Sequence, residues 1–287
     1  MKTKLKSVTS LGLGLVLTTG VLSACDGRVD EAPPAPAADV EPIAEPAAPT
    51  AEAAPTAQRV PDAGEGGEGE GGIAVADAST NAVVYNSALA ITAAHVFAAR
   101  DAHLAGEVDA AAEMLAHPVS EVLLDMEPIF EARGVTPFGH LLTEASAAVF
   151  DGETPEQIAV RSDAILEALR AASALAPDDG MSQVEIAAGV TVDQIDRAAD
   201  MYRIARYSGD YGPYLDGYGF YKAAEMAYAE QADAIEAQYP EIAARISVAF
   251  EVLSRAYPSA LMPDSLDIER PELASASTQA MLAYLNR

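Results

Sequence analysis

Histidine and carboxylate side chains that could bind a metal ion are concentrated in one part of this 287-residue chain. All four histidines lie between positions 95 and 140. His95 and His103 lie within about 80° of each other if they share a straight helix. Imidazole and carboxylate groups on adjacent helices are the ligand types that bind zinc, iron or copper inside a helical bundle. The candidate metal ligands are Glu113, His117, Glu121, His140 and Glu144, with His95 and His103 facing them.

The spacing of these ligands depends on whether a helix continues through Pro118. If the helix does continue, four side chains lie on one of its faces at intervals of four residues. They are Glu113, His117, Glu121 and Asp125. His140 and Glu144 repeat the interval further along the chain. If Pro118 instead begins a helix, His117 becomes a cap residue. Packing or capping is therefore the alternative to metal binding for the histidines.

A second unusual stretch combines tyrosine rings with residues that interrupt helices. Seven of the eleven tyrosines lie between positions 202 and 228, and glycines and a proline are interspersed at 207–222. Such a segment is typical of a loop that is packed by its own side chains or that lines a ligand. In the second interpretation the ligand contacts come from Tyr211, Tyr214, Asp216, Tyr218, Tyr221 and Lys222.

The sequence argues against catalysis and against nucleic-acid binding. It has no Gly-x-Ser-x-Gly, Ser-x-x-Lys or His-Glu-x-x-His motif, and no glycine-rich nucleotide-binding motif. The formal net charge of −27 repels phosphate backbones and anionic lipid headgroups, and it attracts cations. We therefore expect a binding protein that is not an enzyme.

Apolar periodicity predicts the elements that must position these side chains. After Ile73 apolar residues recur at intervals of three and four, and strand patterns are scarce. Thr154 and Thr191 are predicted N-caps, each with a glutamine three residues later. About eight helices on short loops predict an all-α fold, a helical bundle with two four-helix layers meeting near 178–190 as one arrangement. The predicted helices are 82–105, 107–132 passing Pro118, 137–150, 155–176, 191–207, 217–238, 241–256 and 271–286.

The N-terminal part of the chain has a different composition. Lys2, Lys4 and Lys6 precede a short apolar run, which is typical of a secretory signal and too short to span a bilayer permanently. The sequence Leu22-Ser23-Ala24-Cys25 resembles the lipobox of bacterial lipoproteins. This resemblance implies cleavage of a signal peptide at 1–24 and attachment of a lipid to the thiol of Cys25, the only cysteine.

The segment after Cys25 is rich in proline, alanine, glutamate and glycine, which cannot bury a core. We predict a lipid-anchored disordered linker at 25–72 and an all-helical domain at 73–287. No second apolar stretch is predicted to cross a membrane. The lipid anchor is thus the expected contact with the membrane.

The exported, alanine-rich helical domain is similar to imelysin-type periplasmic proteins, which are associated with iron uptake. The similarity covers about residues 75–287 and is one of composition and length. Gly139-His140-Leu141-Leu142-Thr143-Glu144 departs in spacing from the Gly-x-His-x-x-Glu motif of that family, so no site residue is carried over.

Together these features predict a protein of the bacterial cell envelope, anchored by lipid and facing the periplasm or the cell surface. Its expected function is to bind a divalent metal or a metal complex, with zinc, iron and copper as candidates. The alternative is an envelope scaffold that docks a protein partner through its acidic helical surface and the tyrosine-rich segment 207–222.

Overall fold

The computed structural model describes residues 72–287, in which α-helices account for nearly all regular structure and no strand occurs. The predicted signal peptide, Cys25 and the predicted linker up to residue 71 lie outside these described residues. In chain order the helices are α1 (Val75–Ala78), α2 (Ala82–Leu104), α3 (Val108–Pro118), α4 (Leu124–Arg133), α5 (Gly139–Phe150), α6 (Pro155–Ser173), α7 (Gln183–Ser208), α8 (Tyr211–Ala229), α9 (Ala232–Gln238), α10 (Pro240–Ala256) and α11 (Arg270–Leu285).

The all-α prediction is confirmed, and several helix ends follow from the capping residues seen in the sequence. Thr154 accepts a hydrogen bond from the Gln157 amide, while the Gln157 side chain accepts one from the Thr154 amide, so α6 begins in a capping box. Gly134 ends α4 in the left-handed conformation (φ 72°), which glycine adopts without steric cost.

Helix α7 begins earlier than predicted. Its N-cap is Ser182, which forms a capping box with Glu185. Thr191 is not a cap, because it is buried inside α7 and its hydroxyl donates to the Ala187 carbonyl at 2.7 Å. The helix runs without interruption through 183–190, and α2 packs against α3, α6, α7 and α8 alike. Helix α2 thus connects α3 and α6 with α7 and α8, while α10 and α11 pack against α7 and against each other.

The helical path does continue past Pro118, as predicted. A π-helical turn (Val119–Leu123) joins α3 to α4 directly after this proline. Proline lacks the backbone N–H and its ring crowds the preceding turn, so the wider π-turn accommodates it. His117 consequently lies within a helix and is not an N-cap.

Helix α2 forms the centre of the bundle. Among the described residues it is the one helix whose length and composition would suffice to cross a membrane, a property that the sequence analysis did not assign to it. However, 78% of its most apolar window is buried inside the protein. Packing against four neighbouring helices thus accounts for its high hydropathy.

The tyrosine-rich segment is helical except at Gly209 and Asp210, so the break predicted between 207 and 217 is shorter than expected. Gly209 ends α7 in the left-handed conformation (φ 78°), and α8 begins at Tyr211. Pro213 lies in the first turn of α8, where its missing N–H would have no helical partner. Gly217 lies inside α8 because a Cβ atom there would come within 1.8 Å of the Tyr257 hydroxyl oxygen. Close helix packing therefore accounts for this glycine.

Candidate metal site

Three helices bring together two histidines and one aspartate in the interior of the bundle. His95 lies on α2, His117 at the end of α3 and Asp216 on α8. Each offers one potential ligand atom, and the three atoms lie within 4.8 Å of one another. His95 is 1% exposed and Asp216 is 3% exposed, whereas His117 is partly buried. We call this group the His–His–Asp cluster.

The helix that carries His95 also fixes the orientation of its ring. Nδ1 lies 2.8 Å from the carbonyl oxygen of Ile91, one turn earlier, and therefore donates a proton to it. In the neutral ring this leaves a lone pair on Nε2, which lies 3.7 Å from Asp216 Oδ1. Nε2 makes no hydrogen bond within the described part of the chain. In metal-binding histidines, the ring nitrogen that does not bind the metal commonly donates a hydrogen bond to a backbone carbonyl.

The electrostatic surroundings keep His95 neutral at physiological pH. Burial lowers the pKa of His95 to about 4, and the nearby His117 and Arg197 act in the same direction. The hydrogen bond to Ile91 acts in the opposite direction but is outweighed. A neutral imidazole is the form that binds a metal ion.

In His117, too, one ring nitrogen faces a partner on its own helix and the other makes no hydrogen bond among the described residues. Nε2 lies 3.4 Å from Glu113 Oε1, one turn earlier on α3. Nδ1 is buried and has no hydrogen-bond partner among the described residues. The ring centroids of His95 and His117 are 6.0 Å apart, with the rings edge to face. The cluster therefore contains two buried imidazole nitrogens whose hydrogen-bonding capacity is unused.

The distances suit a metal ion after a small adjustment. A tetrahedral site with metal–ligand distances of about 2.1 Å places its ligand atoms about 3.4 Å apart. The 3.7 Å between His95 Nε2 and Asp216 Oδ1 already approaches this value. Because all three atoms lie within 4.8 Å of one another, the other two separations need to contract by at most about 1.4 Å. His117 is the most exposed of the three side chains, at 27%.

The structure does not bring the other predicted metal ligands into this cluster. His103 Nε2 donates to the Glu153 carbonyl oxygen at 2.9 Å, so this histidine joins α2 to the turn before α6. His140 and Glu144 lie exposed on α5, and Glu121 lies partly buried in the π-helical turn. Of the seven predicted ligands, only His95 and His117 belong to the His–His–Asp cluster. Glu113 lies next to His117 but outside the cluster.

Asp216 is the ligand that the sequence analysis assigned to a different site. It was predicted to contact a ligand from a tyrosine-rich loop, whereas it lies on a helix that packs directly against α2. The signal in the sequence was a carboxylate among aromatic residues. Its partners could be recognised only when the packing of α8 against α2 was known.

The tyrosines of the predicted ligand-binding set are instead engaged within the protein. Their hydroxyls donate to acceptors 2.7–3.0 Å away on neighbouring segments or on the same helix. The pairs are Tyr211 with the Ala260 carbonyl, Tyr214 with the Ser259 carbonyl, Tyr218 with Asp101 and Tyr221 with Glu225. Lys222 donates to Glu225 at 2.7 Å. These side chains pack α8 into the core and do not form a ligand-binding loop.

Comparison of the chain with protein-family models, curated proteins and solved structures finds no match. The similarity to imelysin-type proteins therefore stays a hypothesis from the sequence. The described part of the chain is thus an all-α bundle with a His–His–Asp cluster in its interior.

Proposed function

We propose that the helical domain binds one divalent transition-metal ion through His95, His117 and Asp216. The observation that carries this proposal is the approach of three ligand-type side chains from three different helices to within 4.8 Å. Buried polar atoms are nearly always hydrogen-bonded in proteins. The unused His95 Nε2 and His117 Nδ1 are accounted for if a metal ion is their partner.

The ligand set defines the class of metal. Two imidazole nitrogens and one carboxylate oxygen suit zinc, iron(II) and copper(II) better than calcium or magnesium, which prefer oxygen ligands alone. Three protein ligands leave at least one coordination position for water or for a ligand that arrives with the metal. A metal complex is therefore a second form in which the ion could be bound. The acidic composition favours the approach of cations.

We infer from the sequence that this domain is held in the bacterial envelope by a lipid on Cys25. The basic start, the apolar run and Leu22–Cys25 support this inference. Replacement of Cys25 by alanine should transfer the full-length chain from the membrane fraction to the soluble fraction of the producing bacterium. Retention of the Cys25→Ala variant in the membrane would contradict lipid anchoring at this residue.

An envelope scaffold is the alternative function. Its support is now the acidic composition, since residues 214–221 of the tyrosine-rich segment are buried and four of the tyrosine hydroxyls in α8 bond within the protein. Exposed side chains elsewhere would have to provide the docking surface. Metal binding has the more specific structural support.

The first experiment is metal analysis of the full-length chain, purified in detergent without an affinity tag. We expect close to one equivalent of zinc, iron or copper, either as isolated or after stripping and reloading. His117→Ala and Asp216→Asn should each lose most of this metal, while the exposed His140→Ala serves as the matched control. Circular dichroism verifies that each variant remains helical. Absence of metal from the loaded wild-type chain would overturn the proposal.

A further inference from the structure

A cavity of about 120 Å³ lies between α2, α6, α7 and α8, apart from the His–His–Asp cluster. None of the three cluster residues lines it. Its walls are apolar and come from all four helices. The apolar side chains that define it include Leu89, Ala93, Leu169, Ile186, Val190 and Met226.

The polar groups of the cavity are concentrated at its mouth. The lining residues Arg170, Gln183 and Glu230 are exposed and Gln231 is partly buried, and Arg170 also forms an ion pair with Glu167. Partial desolvation raises the pKa of the Glu230 carboxyl, and the positive charge of Arg170 acts in the opposite direction. Arg170 and Glu230 thus place opposite charges on the lining of the same cavity. A pocket with apolar walls and a few convergent polar groups is the usual form of a small-molecule site.

The polar groups deeper in the wall are already satisfied. The Ser173 hydroxyl donates to the Asn86 side-chain oxygen, and the Asn86 amide donates to the Ala82 carbonyl. A ligand would therefore present an apolar group to the interior and its polar groups to the mouth.

The volume limits the apolar part of the ligand. An apolar cavity of about 150 Å³ in another protein accommodates benzene. A cavity of 120 Å³ therefore suits a branched group of about four carbons. A long lipid acyl chain does not fit.

We propose that this cavity binds a small zwitterion with a branched apolar side chain, which is the chemistry of an aliphatic amino acid. The apolar side chain fills the cavity, the ammonium group contacts Glu230 and the carboxylate contacts Arg170. Arginine is well suited to this contact because its planar guanidinium matches a carboxylate. This site is independent of the proposed metal site.

Leucine is the test probe, and three related compounds each lack one of its groups. Calorimetric or NMR titration of the full-length chain should show leucine binding. 4-Methylpentanoate lacks the ammonium group and 3-methylbutylamine lacks the carboxylate, so each should bind at least tenfold more weakly. Glycine lacks the side chain and should not bind measurably. Equal binding of leucine and the two analogues would show that Arg170 and Glu230 do not recognise the charged groups and would overturn the proposal. Absence of leucine binding at millimolar concentration would reduce the cavity to a packing void and overturn it as well.

Substitutions in the wall and at the mouth of the cavity test whether leucine binds there. Ala93→Leu fills the cavity and should abolish leucine binding. Because an enlarged core residue can also disturb folding, Glu230→Gln at the mouth provides a second variant, which should weaken binding about tenfold while leaving thermal stability unchanged. The exposed Glu241→Gln on α10 is the control and should bind leucine like the wild type. Unchanged leucine binding in both Ala93→Leu and Glu230→Gln would contradict the assignment.

Discussion

A Cβ atom at Gly219 of α8 would lie 2.4 Å from the carbonyl oxygen of Ala94 in α2. The two helices thus approach each other at backbone distance, which requires glycine at this position. His95 directly follows Ala94, and Asp216 lies about one turn before Gly219. The contact between Gly219 and Ala94 therefore helps to set the distance between two residues of the His–His–Asp cluster.

We predict that Gly219→Ala both destabilises the fold and weakens metal binding. The added methyl group must push α8 away from α2, since the atom that it meets belongs to the backbone. Overpacking of this kind costs about 1–3 kcal/mol. The increased distance between His95 and Asp216 should also reduce zinc affinity. Chemical denaturation and zinc titration of the same preparation measure both effects.

Gly212→Ala is the matched control for this prediction. It lies in the first turn of the same helix, and a Cβ atom there would meet nothing within 4 Å. Its stability and zinc affinity should equal or slightly exceed those of the wild type. If Gly219→Ala is destabilised but binds zinc as well as the wild type, the helix contact does not govern the site.

Glu113 is predicted to position His117 for metal binding. Its carboxylate lies 3.4 Å from His117 Nε2, which orients the ring and leaves the buried Nδ1 as the nitrogen without a hydrogen bond among the described residues. Loss of such a contact behind a metal ligand typically lowers affinity tenfold to a hundredfold. Because the Glu113 side chain is 67% exposed, we expect Glu113→Gln to lower zinc affinity by about tenfold, the lower end of this range.

Competition with a chromophoric chelator measures the zinc affinity of Glu113→Gln. The exposed Glu131→Gln on α4 removes the same charge away from His117 and should have no comparable effect. A similar loss in both variants would show that net charge, and not the contact with His117, is responsible.

Much of the fold was predictable because its determinants are local. Apolar periodicity located most helices, and the capping box at Thr154 marked the start of α6. The start of α7 was missed because two segments carry the same capping pattern, beginning at Ser182 and at Thr191. Burial of Thr191 among neighbouring helices decides between them, and that information is tertiary.

The site was only partly predictable for a related reason. Intervals of four along one helix suggested His117, but they cannot show which helices pack against each other. His140 shares its residue type and its spacing to a glutamate with His117, yet it lies exposed on α5. Asp216 was placed in a loop because glycines and a proline suggested a break. In the structure the glycines inside α8 permit close packing, and Pro213 occupies the first turn.

The tyrosines of α8 are predicted to stabilise the fold. Tyr214 is fully buried and its hydroxyl donates to the Ser259 carbonyl at 2.8 Å. Tyr214→Phe removes this hydrogen bond and leaves the carbonyl without its donor, which should lower the free energy of unfolding by about 1–2 kcal/mol. Urea denaturation measures the change. Tyr207→Phe, at a residue that is 94% exposed, should leave the free energy of unfolding unchanged. Equal stability of the two variants would contradict a structural role for the Tyr214 hydroxyl.

Buried tyrosines should also make the fold sensitive to alkaline pH. Desolvation raises the pKa of Tyr85, Tyr211 and Tyr284 to about 12. A tyrosine in the unfolded chain has a pKa of about 10. The folded state therefore retains protons that the unfolded state loses, so stability is fully present below about pH 10 and falls as pH rises toward 12.

Absorbance at 295 nm and circular dichroism during one alkaline titration test this expectation. The shifted tyrosines should not ionise near pH 10, the ordinary pKa of tyrosine in an unfolded chain, while the helical signal is intact. The buried tyrosines should ionise later, together with loss of helix. Tyr284→Phe removes one of the shifted groups and should make the fall in unfolding free energy above pH 10 less steep. Ionisation of all tyrosines near pH 10 with the helical signal retained would contradict the packing of these rings in the core.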